Sequence, residues 1–334
     1  MQDVRAESLA QWVLSHSLWR EGVLTPLIGD ASFRRYFRWQ GDNKTAMAMD
    51  APPPQEDVRP FLAVRDALAS LSVPVPSCYA QDVDHGFLLL QDFGDVTLAQ
   101  AITQSNEANI DALYRQALTL LANWQTNPSC SAQAAKLPAY DAPLLVREMQ
   151  LFPEWLLKEY LDSPLSAFEQ SDWQNWLRLL TGAALCQPQT FVHRDYHSRN
   201  LMVTSEGGLG VLDFQDAVRG ALTYDAVSLL RDAYIQFEPE QVQEWLRFYF
   251  LLLVEKGILS KNEWDGFVRA FDWMGVQRHI KVLGIFARLY QRDGKARYLA
   301  DLPRVLDYTV TVAGKYAELS SLAAWLEKKV MGKV

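Results

Sequence analysis

The chain is poor in residues that form covalent or metal cross-links. Its 334 residues include three cysteines and five histidines. Cys78, Cys130 and Cys186 lie far apart and form no C-x-x-C pair, which argues against a disulfide framework and against a cysteine-based zinc site. A reducing compartment is therefore the simpler expectation.

Long apolar runs and an excess of positive charge are also missing. No stretch approaches the ~18 consecutive apolar residues of a membrane-spanning helix, and the first residues, MQDVRAESLAQWV, lack the apolar core of a secretory signal. The net charge is −8, so nucleic acid is not an expected partner. The hydrophobic fraction of 49% is ample for a sizeable core. We expect a cytoplasmic protein that acts on small molecules without a membrane partner.

The chemistry of the chain is concentrated in residues 191–216, FVHRDYHSRNLMVTSEGGLGVLDFQD. Two apolar runs separated by a Ser-Glu-Gly-Gly turn predict a β-hairpin that brings Asn200 and Asp213 together. Their side-chain oxygens are hard ligands that suit Mg²⁺, and Asp195 can accept a proton from a hydroxyl that attacks phosphorus. The pattern H-R-D-x-x-x-x-N, followed by an Asp from the next strand, is typical of protein-kinase-like phosphotransferases.

Two other interpretations of this segment are weaker. His193, Asp195 and His197 have the residue types of a zinc site, but the other histidines are scattered along the chain. A solvated surface loop is common for Asp and Asn, but here apolar residues flank the loop on both sides and tether it to buried strands.

The first ninety residues predict a small sheet with one inserted helix. Helices are expected at 4–19 and 55–71, and strands on both sides of a turn within 26–39 and at 45–50, 78–81 and 86–90. We expect a nucleotide-binding N-lobe at 1–93 and a helical C-lobe at 94–334 with the catalytic loop and the acceptor site. The fold class is therefore α+β, with a bilobal, protein-kinase-like arrangement.

The N-lobe contains the candidates for nucleotide binding, which are Ser32, Phe33, Arg34, Arg35, Leu90, Gln91 and Asp92. The first two belong to a small-residue turn whose backbone N–H groups can approach a phosphate. The strand at 45–50 lacks the phosphate-binding lysine of kinases, and one of the two arginines is the expected substitute. The last three lead out of the sheet, where apolar side chains could pack on adenine and backbone groups could read its edge.

The rest of the chain is predicted to be helical, with helices at 110–126, 140–160 and 166–186, another that begins within 217–230, and more up to 334. One polar stretch of the predicted helices has two interpretations, a solvated helix face or a wall that binds a hydroxylated or anionic substrate. Its residues are Gln277, Arg278, His279 and Lys281. Glu148 lies in an apolar context, as a structural ion or as a substrate ligand.

Two residues are expected to support the catalytic loop. Asp225 lies in the first turn of a predicted helix, where a carboxylate favours the helix dipole, and we expect it to brace the loop. His193 opens the motif and is expected to have the same supporting role.

Several stretches carry a resemblance to a known family. HRDYHSRNL, DFQDA and YDAVSLLRDA resemble the aminoglycoside phosphotransferase and choline kinase superfamily. Further stretches resemble a narrower group, the bacterial anomeric sugar kinases of cell-wall recycling. They are GDASFRRYFRW, MAMDAPPPQED, GFLLLQDFGD, LFPEW and MGVQRHIKVLGIFARLYQRDGKARYL. The resemblance covers nearly the whole chain. It implies ATP-dependent phosphorylation of the C1 hydroxyl of N-acetylmuramate or N-acetylglucosamine, whose α-1-phosphate would pass to a sugar-1-phosphate nucleotidyltransferase.

The resemblance also implies roles for individual residues. By motif match, Asp195 is the base, and Asn200 and Asp213 hold Mg²⁺. The lactyl carboxylate of N-acetylmuramate requires a cation, for which Arg278 and Lys281 are the candidates. The alternatives are a kinase for aminoglycosides or other small-molecule hydroxyls and a catalytically inactive nucleotide-binding regulator. The intact motif speaks against the regulator.

Overall fold

The computed structural model describes residues 3–27, 34–41 and 44–334. The chain divides into two compact units. The first unit consists of Met1–Thr97 and Leu201–Gln215, and the second of Leu98–Asn200 and Asp216–Val334. The division near residue 97 lies close to the boundary expected from the sequence, whereas the hairpin at 201–215 was expected with the second lobe.

Strands and helices alternate at first, and helices dominate after residue 97. The strands are β1 Val23–Pro26, β2 Arg35–Gln40, β3 Thr45–Asp50, β4 Cys78–Asp82, β5 Phe87–Gln91, β6 Gln189–Val192, β7 Leu201–Val203, β8 Leu209–Val211 and β9 Val218–Ala221. The α-helices are α1 Val4–Ser15, α2 Val58–Ser70, α3 Leu98–Thr103, α4 Glu107–Gln125, α5 Cys130–Ala134, α6 Ala142–Met149, α7 Ala167–Leu185, α8 Tyr224–Leu230, α9 Pro239–Glu255, α10 Trp264–Asp293, α11 Leu302–Gly314 and α12 Ser320–Lys329. None of these helices in the described part of the chain is long and apolar enough to cross a membrane.

Within the described residues of the first unit, five strands form one antiparallel sheet in the order β1-β2-β3-β5-β4. Asp57 caps α2 by accepting a hydrogen bond from the Arg59 backbone N–H, and this helix is inserted between β3 and β4. The predicted small sheet with one inserted helix is confirmed.

The two faces of this sheet differ because successive side chains of a strand point to opposite sides. One face forms a core with α1, whose members are Leu9, Val13, Trp19, Phe37, Trp39, Ala46, Ala48, Phe87 and Leu89. On the other face, Tyr36 is paired with Met49, and Arg38 with Met47. The register continues from Met47 to Leu90 of β5. Alternate residues of β2 therefore belong either to the apolar core or to a face that carries polar side chains.

The hairpin of β7 and β8 belongs to the first unit because it packs there. Val211 N donates a hydrogen bond to Pro74 O at 2.8 Å, and the rings of Phe61 and Phe214 lie 4.8 Å apart. These contacts carry Asp213, at a positive φ of 61°, into the first unit. The sequence signalled the hairpin itself but not these contacts, which join positions more than a hundred residues apart.

The segment that we expected to begin a helix at 217–220 is instead strand β9. It pairs antiparallel with β6, from Gln189–Ala221 to Val192–Val218. Arg219 N donates to Pro138 O at 2.9 Å, and Arg219 O accepts from Tyr140 N at 2.8 Å. Four residues are too few to show a helical period, and these hydrogen bonds on both sides favour an extended backbone.

The helix predicted at 140–160 is two elements. Helix α6 ends at Met149, and Phe152–Tyr160 forms a π-helix with Pro153 in its first turn. Proline has no backbone N–H and clashes with the carbonyl four residues earlier, so a continuous α-helix is unfavourable at this point. The backbone of Leu151 and Phe152, where the π-helix begins, packs closely against α10 at Gly284.

Gly284 of α10 should be essential for this packing. A Cβ atom at this position would lie 2.3 Å from the Leu151 carbonyl carbon and 2.5 Å from the Phe152 nitrogen. We expect Gly284→Ala to lower the free energy of unfolding by about 1–3 kcal/mol, the usual cost of overpacking a core. Urea unfolding followed by tryptophan fluorescence measures this.

Gly266 on the same helix provides the matched control. A Cβ there meets no atom within 4 Å, so Gly266→Ala should leave stability unchanged or raise it by up to about 1 kcal/mol through helix propensity. Equal effects of the two substitutions would show that propensity, not the close approach to residues 151–152, determines stability at Gly284.

Candidate active site

The loop between β6 and β7 carries Asp195 and is fixed by hydrogen bonds within itself. Asp195 N donates to Nδ1 of His193 at 3.2 Å, and the Asp195 carbonyl accepts from Nδ2 of Asn200 at 2.9 Å and from His197 N at 3.0 Å. Arg194 has a φ of 76°, a backbone conformation that residues other than glycine seldom adopt. The three predicted loop residues are thus brought together in one rigid turn.

Two buried carboxylates at the ends of α8 hold this loop. Asp225 accepts hydrogen bonds from His193 N at 2.7 Å and from Arg194 N at 3.0 Å. Asp232, which the sequence reasoning missed, accepts from the backbone N–H of Ser198 at 3.0 Å and from its hydroxyl. The signal for it was the second Asp of YDAVSLLRDA, seven residues after the first and two residues beyond the end of α8.

Asp195 of the loop and Asp225 of α8 differ in protonation. Burial raises the pKa of Asp225 to about 7, against the two backbone hydrogen bonds, which lower it. Burial also raises the pKa of Asp195, but the charges of Lys281, His197 and Arg278 lower it, and the net pKa is below the ordinary value of 3.8. Asp195 is therefore ionised at neutral pH and able to accept a proton.

Glu148 of α6 is buried at the centre of a polar cluster. It accepts hydrogen bonds from the Tyr140 hydroxyl and the Arg194 guanidinium, and Lys281 Nζ lies 3.2 Å from its Oε1. Burial raises the pKa of Glu148, yet the charges of Lys281 and Arg194 lower it below its ordinary value. Lys281 also donates to the Tyr224 hydroxyl at 3.1 Å. The structure thus brings two predicted substrate residues, Glu148 and Lys281, into direct contact.

Arg278 lies one helical turn before Lys281 on α10. Its guanidinium donates a hydrogen bond to the Ser228 hydroxyl at 2.5 Å. Gln277, Arg278, His279 and Lys281 are all buried, so the interpretation of this stretch as a solvated helix face is wrong. Residues 271–284 of α10 are all buried. Arg278 contacts Ser228 of α8, and Nε2 of His279 lies 3.0 Å from the carbonyl oxygen of Arg231, the residue directly after α8.

In the first unit, the two arginines that were candidates for binding phosphate form ion pairs with different carboxylates. Arg34 Nε lies 3.0 Å from Oε2 of Glu56. Burial lowers the pKa of the Arg34 guanidinium, but the hydrogen bond with Glu56 and the charges of Tyr36, Glu56 and Asp213 raise it above its ordinary value. Arg35 instead forms ion pairs with Asp50, at 2.6 Å, and with Asp3. Lys44, the lysine nearest to β3, lies over the Trp19 ring at 5.0 Å.

The other nucleotide candidates lie at the end of β5. Leu90 is buried, and Gln91 N donates to Ser77 O at 2.8 Å. Asp92 is paired with Arg38 at 2.7 Å. Ser32 and Phe33 lie outside the described residues.

The donor set of the motif fits magnesium. Asn200 and Asp213 supply amide and carboxylate oxygens, the ligand types that Mg²⁺ prefers. The Asn200 amide nitrogen is used by the Asp195 carbonyl, and Gln215 Nε2 donates to Oδ1 of Asp213 at 2.9 Å, so both side chains are held in place. Along residues 3–27, 34–41 and 44–334, no group of three or more His, Cys, Asp or Glu could hold a metal ion.

Comparison with solved structures identifies the fold. An ADP-bound aminoglycoside phosphotransferase superposes with a TM-score of 0.63 at 16% identity, over 93% of this chain and 99% of the other. A choline kinase from Streptococcus pneumoniae gives 0.63 at 14% identity, over 92% and 99%. These likenesses confirm the predicted protein-kinase-like bilobal fold, with a small antiparallel sheet in one lobe and mainly helices in the other.

Comparison of sequences identifies the family. A protein from Pseudomonas putida named N-acetylmuramate/N-acetylglucosamine kinase is 45% identical over 330 residues, which cover 96% of this chain and 95% of the relative. A protein of the same name from Neisseria meningitidis serogroup B is 40% identical over 328 residues, 98% and 96% of the two chains. The model of the phosphotransferase enzyme family matches residues 23–260. The resemblance read from the sequence is confirmed, and the chain belongs to the phosphotransferase enzyme family.

Proposed function

We propose that the protein is an ATP-dependent kinase that phosphorylates the anomeric C1 hydroxyl of N-acetylmuramate and N-acetylglucosamine. One observation carries the proposal. Asp195, an ionised carboxylate held in a rigid loop, lies beside the buried cations Lys281 and Arg278, in a chain 45% identical to a kinase of that name.

The chemistry requires one proton acceptor and a well-placed phosphate donor. The C1 oxygen forms a bond to the γ-phosphorus of ATP while the bond from that phosphorus to the bridging oxygen of ADP breaks, and the hydroxyl proton passes to Asp195. An anomeric hydroxyl is more acidic than other sugar hydroxyls, so a carboxylate with a lowered pKa is a sufficient base. Phosphoryl transfer otherwise depends mainly on positioning and charge neutralisation.

Asn200 and Asp213 are the residues that would hold Mg²⁺, which neutralises charge on the phosphates when bound. In the first unit, Arg34 is the proposed phosphate anchor, because its ion pair with Glu56 is analogous to the lysine–glutamate pair of protein kinases. The residues at the end of β5 are proposed to contact the adenine. They are Leu90, Gln91 and Asp92. In the second unit, Glu148, Arg278 and Lys281 are proposed to form the sugar side.

The charges around Asp195 favour a neutral or anionic acceptor. The side chains that lower its pKa are all basic, and a polycationic aminoglycoside would be repelled by such a surrounding. Because the proposed reaction uses ATP, we propose that it takes place in the cytoplasm. A reactive sugar 1-phosphate is the substrate of a nucleotidyltransferase, which we propose as the next enzyme.

The experiment that tests this function supplies ATP, Mg²⁺ and a panel of sugars and aminoglycosides, and locates the new phosphate by ³¹P NMR. We expect an α-1-phosphate on the two acetamido sugars. A phosphate on another oxygen, transfer to aminoglycosides alone, or no transfer at all would each contradict the proposal.

A further inference from the structure

The two cations beside Asp195 differ in their partners. Lys281 faces Glu148 at 3.2 Å and donates to Tyr224 at 3.1 Å, so a carboxylate already balances its charge. Glu148 in turn also receives Arg194. This carboxylate therefore neutralises cations of the protein itself, and neither it nor Lys281 needs a ligand for its charge to be compensated.

Arg278 has a partner of a different kind among the described residues. Its guanidinium donates a hydrogen bond to a neutral group, the Ser228 hydroxyl. In the part of the chain that the structure describes, no acceptor reaches its Nε, and no carboxylate forms a salt bridge with it. Burial lowers the pKa of Arg278, and the charges of Tyr224, Asp195 and Asp232 raise it, but neither carboxylate lies within ion-pair distance. A buried guanidinium without a direct ion pair is unfavourable, and such groups in binding sites commonly receive the anion of a ligand.

The position of Arg278 limits which ligand group it can meet. It lies on the same face of α10 as Lys281, three residues away, and its charge acts on Asp195. The acceptor hydroxyl must lie at Asp195, and Asn200, Asp213 and Arg34 are the proposed ligands of the Mg²⁺ and the phosphates. We therefore assign the anion that Arg278 receives to the acceptor sugar. Of the two sugars in the relatives' name, N-acetylmuramate carries an ether-linked lactyl carboxylate, and N-acetylglucosamine has a hydroxyl at the same ring position.

We propose that Arg278, and not Lys281, is the specificity-determining residue that binds the lactyl carboxylate of N-acetylmuramate. This inference rests on the proposed function and refines its acceptor site. The carboxylate takes no part in the transfer and is bound equally before and during it. Its contribution should therefore appear in KM for the sugar more than in kcat.

The test is a double-mutant type of cycle, in which the charge of the protein side chain and the charge of the ligand are removed separately and together. The wild-type enzyme, Arg278→Met and Lys281→Met are each assayed with N-acetylmuramate and with the primary amide of its lactyl group, which has nearly the same shape but no charge. We expect the wild-type kcat/KM for the acid to exceed that for the amide by about 10- to 100-fold, the value of a hydrogen-bonded charge. Arg278→Met should bring this ratio near one, whereas Lys281→Met should keep it even if both rates fall.

Several outcomes would overturn the inference. They are a wild-type ratio near one, a ratio that survives Arg278→Met, and a ratio that only Lys281→Met removes. The wild-type ratio requires no variant, and Arg278→Lys, which keeps the charge, should retain part of the ratio, so misfolding of one variant leaves the test decisive. A wild-type protein that phosphorylates neither sugar would instead refute the proposed function.

Discussion

Asp195→Asn should lower kcat by about 10²- to 10⁴-fold, the usual range for the loss of an acid–base group, while ATP binding persists. The amide has nearly the shape of the carboxylate, and the contacts that hold the loop use the backbone of Asp195: its N–H donates to His193 and its carbonyl accepts from Asn200. The loop should therefore keep its shape, and the loss should be chemical. Steady-state kinetics with a coupled ADP assay measures kcat, and calorimetry measures ATP affinity.

Glu206→Gln is the matched control for this substitution. Glu206 is an exposed carboxylate in the turn between β7 and β8, so its neutralisation should leave kcat unchanged. Full activity of Asp195→Asn would exclude Asp195 as the base, and an equal loss in both variants would indicate a general effect of charge.

The pH dependence has a definite sign. The pKa of Asp195 is lowered below 3.8, so its ionised, proton-accepting form is complete at neutral pH and is lost only as the pH falls through that lowered value. Titration of Asp195 should therefore leave kcat/KM flat between about pH 6 and 8. An inflection in this range in the wild-type enzyme must come from another group, and Asp225, with its pKa of about 7, is the first to examine.

The parts of the fold that are local in sequence could be predicted from it. Strand β3 begins and ends at the expected residues, 45 and 50, because an apolar run is bounded by polar residues and by prolines. The hairpin of β7 and β8 and the catalytic loop before it likewise follow from the spacing of apolar runs and motif residues along the sequence. Strand β9 could not be predicted, since four residues become a strand only through pairing with β6, about thirty positions earlier.

The burial of charged residues could not be predicted either. Arg278 and Lys281 occur beside apolar residues in a way that also suits a solvated face, and only the packing of α6, α8 and α10 encloses them. Asp232 was missed because an aspartate after a helix is common on surfaces, and its contact with Ser198 spans 34 positions. Such contacts decide how charge is distributed in the site, and they are properties of the fold.

Arg34→Met should lower kcat/KM for ATP by about 10²- to 10³-fold, the cost of removing one partner of a partly buried charge pair. It would leave Glu56 unpaired next to the anionic phosphates that the arginine is proposed to bind. Arg35→Met is the matched control on the neighbouring residue. Arg35 is paired with Asp50 and Asp3, so its loss should reduce thermal stability but change KM for ATP much less. Arg34 is proposed to replace the lysine missing from β3, so equal losses in both variants, or unchanged kinetics in Arg34→Met, would show that the triphosphate is anchored elsewhere.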